Sequence, residues 1–510
     1  MSLTKAHNRM IAGSTINVLD FNATGDGSTN DTVAIQAAIT NASSGDTIYF
    51  PSGNYVMGAV TVTKALHFIG NATITLSGST AGFELKANMS NLSFKDLTIV
   101  GDANISNNHR TIWHDKTYTI SNVLIDNLTI TDCIQSIDIG GLTDVVIQNC
   151  SIADTAGTAA GQGYGIAAGS VERVRIINNH FSDNGRHAVY SRSGKDVIVT
   201  GNVFDDHSAT AGGGLYAVLF VGVQNGIISD NVFRDTKGTY DISLDDDTDG
   251  TTVCDNVTIS NNIFYGLISG DYGGIDTGAS SVTGTEFVRN INIADNVFNV
   301  SPAKENGVIQ VTNGRQIRIA GNTFQQTAGT ATNFYAILLN AGAGDTHFDE
   351  VIIENNYGRF TKSSGNSIFV LVGSALCTGT TRIYVNNNDI VLNSQDYLIS
   401  YAAAPTNENI ETDWDYEKAV TLSSGSQTIS GAGYNNFVIT GDAGASTITN
   451  ITDTNSGKEV TLRFVDSNTT LDRTNSFLSG GANFTSSNRD ILKLLNRGGN
   501  WYETTRSVNS

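Results

Sequence analysis

The chain has 510 residues, with 49 acidic and 29 basic side chains and a formal net charge of -20. That balance disfavours nucleic acid and anionic membrane as partners, since both are gripped by Lys/Arg stripes, and no run of 18 apolar residues offers a spanning helix. Gly is abundant at 53, Pro scarce at 3 and charged residues only 15%, while Ile, Val, Leu and Phe recur throughout, which excludes a disordered chain.

In chain order, "MSLTKAHNRMIAGS" (1–14) has basic residues but no apolar stretch of signal-peptide length. The expectation is synthesis in the cytoplasm without a secretory leader. "NDTVAIQAAIT" (30–40) predicts a short helix, capped by Asn30 or Asp31, with Ile35, Ala38 and Ile39 on one face. It suits the role of a cover over an exposed coil end.

A repeat then takes over: apolar, any, apolar, a turn, and a closing apolar residue. "VRIINNHF" (174–181), "VIVTGNVF" (197–204), "VTISNNIF" (257–264), "INIADNVF" (291–298) and "IRIAGNTF" (317–324) are clear copies. The closing position falls at Tyr55, Ile74, Ile99, Ile130 and Ile152, then at Phe181, Phe204, Phe233, Phe264, Phe298 and Phe324, then at Tyr357 and Ile390. A period of roughly 20–35 residues with strand-like alternation means stacked coils. The turn holds residues that tolerate positive φ: Asn71, Asp96, Asn127, Asn149, Asn178, Gly201, Asp230, Asn261, Asp295 and Gly321. One place later stand Asn179, Asn202, Asn231, Asn262, Asn296, Asn322, Asn355 and Asn388. At a coil spacing of ~4.8 Å such a column can pass amide hydrogen bonds from coil to coil, which requires parallel, in-register stacking. The predicted fold class is therefore all-β: a right-handed single-stranded parallel β-helix. Cys133, Cys150, Cys254 and Cys377 form no CxxC pair and read as buried reduced thiols.

Each coil also carries a second type of strand, a wall, whose inward residue falls at Ile112, Ile137, Ile166, Val189, Val218, Ile242, Ile275, Ile309 and Ile337. Period-two alternation turns the next residues outward: Trp113, Asp138, Ala167, Tyr190, Leu219, Ser243, Asp276, Gln310 and Leu338. "YDISLDDDTDG" (240–250) then puts Asp241 and Asp245 on the same outer wall, with Asp276 on the next coil. Carboxylates about 5–9 Å apart match the pair that a glycoside hydrolase needs. Crowding raises the pKa of at least one of them, as a proton donor requires. Two other readings stand beside this one. Asp245, Asp247 and Asp249, followed by Gly250, match the first half of a calcium loop, although its twelfth position is Asn256. A solvated acidic loop is the blander alternative. "GRHAVYSRSGK" (185–195) gathers Arg186, His187, Tyr190 and Arg192, a set suited to proton abstraction beside a uronate carboxylate. Tyr164, Tyr216, Tyr240 and Tyr335 read as an interior or corner stack. No GxSxG, GxxxxGK[ST] or HExxH occurs.

After Ile390 the repeat fades, and Pro405 with the acidic stretch at 407–417 marks a boundary. The expected organisation is an arm at 1–15, a capping segment at 16–47, the β-helix at 48–405, and a small β-sandwich-like domain at 406–510.

"INVLDFNATGDGSTNDTVAIQAAI" (16–39), the lead "AHNRMIAGS" and the tail "GGNWYETTRSVNS" together resemble bacteriophage tailspikes and polysaccharide depolymerases with a pectate-lyase-like β-helix. The resemblance covers both ends and treats the middle as generic repeat. It implies a homotrimer, joined through the C-terminal domain, that binds and usually cuts a bacterial surface polysaccharide (capsule or O-antigen). It also implies a place on the virion, acting at the bacterial surface. The large particle-binding domain of such proteins is not in this sequence, so the expectation is attachment to the phage tail or baseplate through residues 1–15, attachment through a partner, or a sequence that is a piece of a longer chain.

The expected activity is endo-glycosidic hydrolysis by Asp241, Asp245 and Asp276, with Trp113, His187, Tyr190, Arg192 and Gln310 lining the groove. No cofactor is required, and Ca²⁺ on Asp245, Asp247 and Asp249 is the one metal considered. The alternatives are a lyase centred on His187, Tyr190 and Arg192, and a non-catalytic receptor-binding fibre.

Overall fold

A computed structural model describes residues 13–508 apart from 158–160, 206–215, 235–238, 246–251, 267–272, 279–287, 301–306, 313, 327–332, 341–348, 361–365, 374–375, 377–380, 392–396, 403–409, 413–416, 431–434, 453–456 and 480. The chain winds as a right-handed parallel β-helix with three strands per coil. One coil runs Glu172–Ile177, His180–Ser182 and His187–Arg192. The next runs Lys195–Thr200, Val203–Asp205 and Tyr216–Val221, each strand pairing in parallel with its predecessor. Among the described residues, the first two strands of the coils join a 27-stranded sheet, and the third strands form a 13-stranded wall sheet.

The turns explain why the chain coils. Asp96, Asn127, Asn149, Asn178, Gly201, Asp230, Asn261, Asp295 and Gly321 all have φ between 53 and 69°. Those are the expected positions, with one correction. Asn71 is not among the positive-φ residues; it lies within the strand His67–Leu76, where the register shifts between Ile69 and Ala72. A second left-handed column, unread in the sequence, runs through Asn122, Asp144, Arg173, Asp196, Asn225 and Asn256.

Behind the first turn, the asparagines form a continuous ladder. Asn202 Oδ1 accepts from Asn179 N–H at 2.8 Å and from Asn179 Nδ2 at 3.0 Å, and Asn179 Nδ2 also donates to the Ile147 carbonyl at 3.0 Å. The pattern repeats through Asn231, Asn262, Asn296 and Asn322. It then passes to Asn356 rather than Asn355, and on to Asn388. Asn355 instead takes the left-handed turn position, at φ 54°. The closing column slips by the same residue. Phe181, Phe204, Phe233, Phe264, Phe298 and Phe324 stack at 4.6–5.1 Å with interplanar angles of 5–12°. The next partner of Phe324 is Gly358, with Tyr357 turned outward at 42% exposure. Phe369 fills the space from the wall side, edge-on to Phe324 at 5.9 Å.

The helix Thr32–Asn41 covers the first coil and buries Ile35, Ala38 and Ile39. Asp31 caps by position only: its carboxylate accepts from Thr24 and Gly25, while Asn30 Oδ1 accepts from the Thr32 N–H. Gln36 pairs with both backbone groups of Thr61, on the edge strand Ala59–Val62, and so blocks an open sheet edge. At the other end the long sheet runs on to Ile410–Thr412, past position 405.

From Glu417 onward two facing sheets enclose a separate core around Phe437, Ile439, Leu462, Leu494 and Trp501. Its first strands alternate between the sheets, so neighbours within a sheet are parallel. The unit is a short solenoid closed by the antiparallel pair Ile491–Arg497 and Asn500–Ser507.

Candidate functional site

The wall sheet holds the register read from the sequence. Asp138, Ala167, Tyr190, Leu219, Ser243, Asp276, Gln310 and Leu338 are successive partners across the strands. Trp113 lies one rung below Asp138, since Ile112 pairs with Ile137. The column is less open than alternation alone implies: Leu219, Ser243 and Leu338 are all buried.

Asp276 is the centre of a polar patch. Gln310 Nε2 donates to Thr312 Oγ1 at 3.2 Å. That oxygen having accepted, the Thr312 hydroxyl donates to Asp276 Oδ1 at 3.3 Å. Asp276 is held well above the ordinary carboxylate value, first by burial and then by the charge of Asp245; the Thr312 hydroxyl and the Thr277 backbone N–H pull the other way. Asp245 is half-buried and sits two residues after Ser243, the residue directly opposite Asp276 on the preceding rung. The Ser243 hydroxyl is buried and, among the described residues, has no hydrogen-bond partner. Thr312 was missed in the sequence, and Ser243 was read only as an outward wall position, because a lone hydroxyl carries no signal until register puts it beside a carboxylate.

Two expected site residues lie elsewhere. Asp241 does not share the solvent-facing wall with Asp245; it is 1% exposed. The wall strands bury two successive residues at that corner, as with Ala188 and Val189, Ala217 and Val218, and Asp241 and Ile242. His187 does not line a groove. It is buried as a member of the aromatic column, stacked between Tyr164 at 5.2 Å and Tyr216 at 5.5 Å. Its ring nitrogens face the Tyr216 N–H and Arg186 Nε.

Tyr190 is half-buried three rungs from Asp276, Arg192 is exposed at the end of the same strand, and Gln310 is on the rung after Asp276. Trp113 is half-buried beneath the Arg110 guanidinium, which is 5.7 Å from its ring centroid. Asp247 and Asp249 of the calcium motif lie outside the described residues. Among the described residues, no group of three or more His, Cys, Asp or Glu is arranged for a metal ion. Cys133, Cys150 and Cys254 are free and buried, with thiols pushed up to about 12 by burial, and Cys377 lies outside the described residues.

Fold and site together define a parallel β-helix bearing an acidic pair on its wall. Residues 15–262, 248 of the 510, match the family described as "Rhamnogalacturonase A/epimerase, pectate lyase-like". Among curated proteins, mannuronan C5-epimerase AlgE3 of Azotobacter vinelandii is 42% identical over 64 residues, a stretch covering 11% of this chain and 4% of that protein. Similar solved structures include three from different bacteria. The A-module of mannuronan C-5 epimerase AlgE4 of Azotobacter vinelandii shares 15% identity at a TM-score of 0.42, covering 76% of this chain and 98% of that one. The surface protein and adhesin PfbA of Streptococcus pneumoniae shares 17% at 0.48, covering 76% and 99%. The catalytic unit of a GH87 alpha-1,3-glucanase from Streptomyces thermodiastaticus shares 15% at 0.45, covering 79% and 70%.

Proposed function

We propose that this chain is a phage tailspike, a homotrimer on the virion, that binds a bacterial surface polysaccharide along its wall sheet and hydrolyses internal glycosidic bonds. The polysaccharide class is supported by the matching family, named for a rhamnogalacturonase and an epimerase, and by the short match to a mannuronan epimerase. The phage assignment is supported by the resemblance of residues 16–39 and of the C-terminal segment.

The observation that carries the reaction type is Asp276, whose carboxyl is pushed well above the ordinary carboxylate range by burial and by neighbouring Asp245, beside the Thr312 hydroxyl that donates to it. Asp276 then protonates the leaving oxygen, and Asp245 supplies the second carboxylate. One rung of ~4.8 Å across and two residues, ~6.6 Å, along the strand set the two backbones about 8 Å apart. A backbone offset of that size is compatible with either carboxyl separation, ~5–5.5 Å for retention or ~6.5–9.5 Å for inversion, and the anomeric configuration of the product decides between them. The elimination reading loses His187, which is buried in the aromatic column, and keeps Tyr190 and Arg192 on the wall.

The test is incubation with capsule or O-antigen preparations, with product mass and anomeric configuration as readouts. Saturated oligosaccharides from the native chain, and none from Asp276→Asn or Asp245→Asn, are expected. Unsaturated products would indicate elimination, binding without shortening a fibre, and unimpaired cleavage by both variants a different site.

A further inference from the structure

A second polar cluster lies low on the same wall. Its centre is Lys116, which has φ 66°, in the left-handed region that long side chains seldom occupy. The Lys116 N–H donates to His114 Nδ1 at 3.1 Å. Nδ1 is therefore the acceptor, the ring proton sits on Nε2, and Nε2 donates to the Gly140 carbonyl. His114 is 3% exposed, so a buried imidazole fastens this turn to the following coil.

Two glycines form the floor beneath the lysine. A Cβ at Gly140 would lie 2.6 Å from Lys116 Cε and 3.0 Å from Nζ, and one at Gly169 would lie 3.4 Å from Nζ. The ammonium thus rests against the wall next to Asp138, whose carboxylate is already engaged. Its Oδ1 accepts the Gly140 N–H at 3.0 Å, and its Oδ2 accepts Arg110 Nη1 at 3.1 Å. Among the described residues, no carboxylate is within ion-pair distance of Lys116. Three residues earlier, Trp113 offers a half-buried ring whose Nε1–H is buried and without an acceptor. An exposed ammonium held against the wall and a half-buried indole close by in the chain are the two surfaces a charged sugar ring needs.

Resting on the polysaccharide reading above, we infer that Trp113, Arg110, Asp138 and Lys116 form a sugar subsite that takes an acidic unit of the glycan, carboxylate or sulfate. The indole receives the apolar face of the ring, and the ammonium receives the anion. From Asp138 the register counts five rungs to Asp276, ~24 Å, so this subsite anchors the chain and takes no part in bond cleavage.

The test is affinity electrophoresis of the full chain in gels containing polygalacturonate, alginate, hyaluronan, dextran sulfate, neutral dextran or carboxyl-reduced polygalacturonate. Retardation by an acidic polymer but not by the neutral ones is expected. Carboxylate polymers alone would identify a uronate, and dextran sulfate alone a sulfated sugar. Lys116→Asn suits the left-handed backbone without the charge and should weaken retardation about tenfold, whereas Lys116→Arg should retain it. Lys195→Met, on the long sheet, controls for the loss of one charge and should leave retardation unchanged. Equal retardation by neutral and acidic polymers, none by any polymer, or no effect of Lys116→Asn at an unchanged melting temperature would each overturn the subsite. Cleavage, scored separately through Asp276→Asn, fails or survives independently of this result.

Discussion

At the scale of single residues, Asp276 shows how burial and a like charge suit a carboxyl to the acid role proposed for it. Burial and the Asp245 charge oppose its ionisation, and only the Thr312 hydroxyl and a backbone N–H favour it. Thr312→Val removes a donor to the charged form, so the pKa of Asp276 rises further. Activity that depends on the protonated acid should then persist to higher pH. The basic limb of the kcat/KM–pH profile is expected to move up by about 0.5–1 unit, the equivalent of one modest hydrogen bond. Thr312→Ser keeps the donor and should leave the profile in place. Asp241 teaches the opposite lesson. Its charge drew it into the expected catalytic set, yet it fills the same corner position as Ala188 and Ala217, and that run of small residues was the signal that the position faces inward.

Among the structural elements, the asparagine ladder is the most demanding. Asn231→Ala deprives the Asn202 N–H and Nδ2 of their acceptor and leaves the Val199 carbonyl without its donor. Asn202 Nδ2 keeps the Ile176 and Thr200 carbonyls, so two groups are left unpaired in the buried spine at a cost on the order of 3 kcal/mol, and the variant should unfold markedly faster on heating or in denaturant than the native chain. The ladder, the phenylalanine stack and the wall register were legible because each repeats one residue type at one turn, and a parallel sheet carries that identity upward. Where identity changes, legibility falls. Tyr357 and Asn355 looked like members of their columns, but the turn at Asn355 shifts both columns on to Gly358 and Asn356. The second left-handed column stayed hidden because it admits Arg173 and Gln316, residues without a turn preference. The relay from Gln310 through Thr312 to Asp276 needed coordinates, since it joins side chains on two coils.

At the scale of the whole molecule, the proposed spike is a trimer of 54.0 kDa chains, and sedimentation equilibrium should return about three times that mass. A single-chain mass would remove the trimer from the proposal while leaving the wall chemistry intact. The spacing of the spine has a wider consequence. Consecutive ladder asparagines are 23 residues apart between Asn179 and Asn202, and 34 apart between Asn262 and Asn296, with the same hydrogen bonds at both steps. The backbone of the rod is thus indifferent to how much chain is threaded between its fixed points. The intervening segments can therefore be lengthened, shortened or exchanged as cassettes, changing what the wall presents without renegotiating how the chain folds.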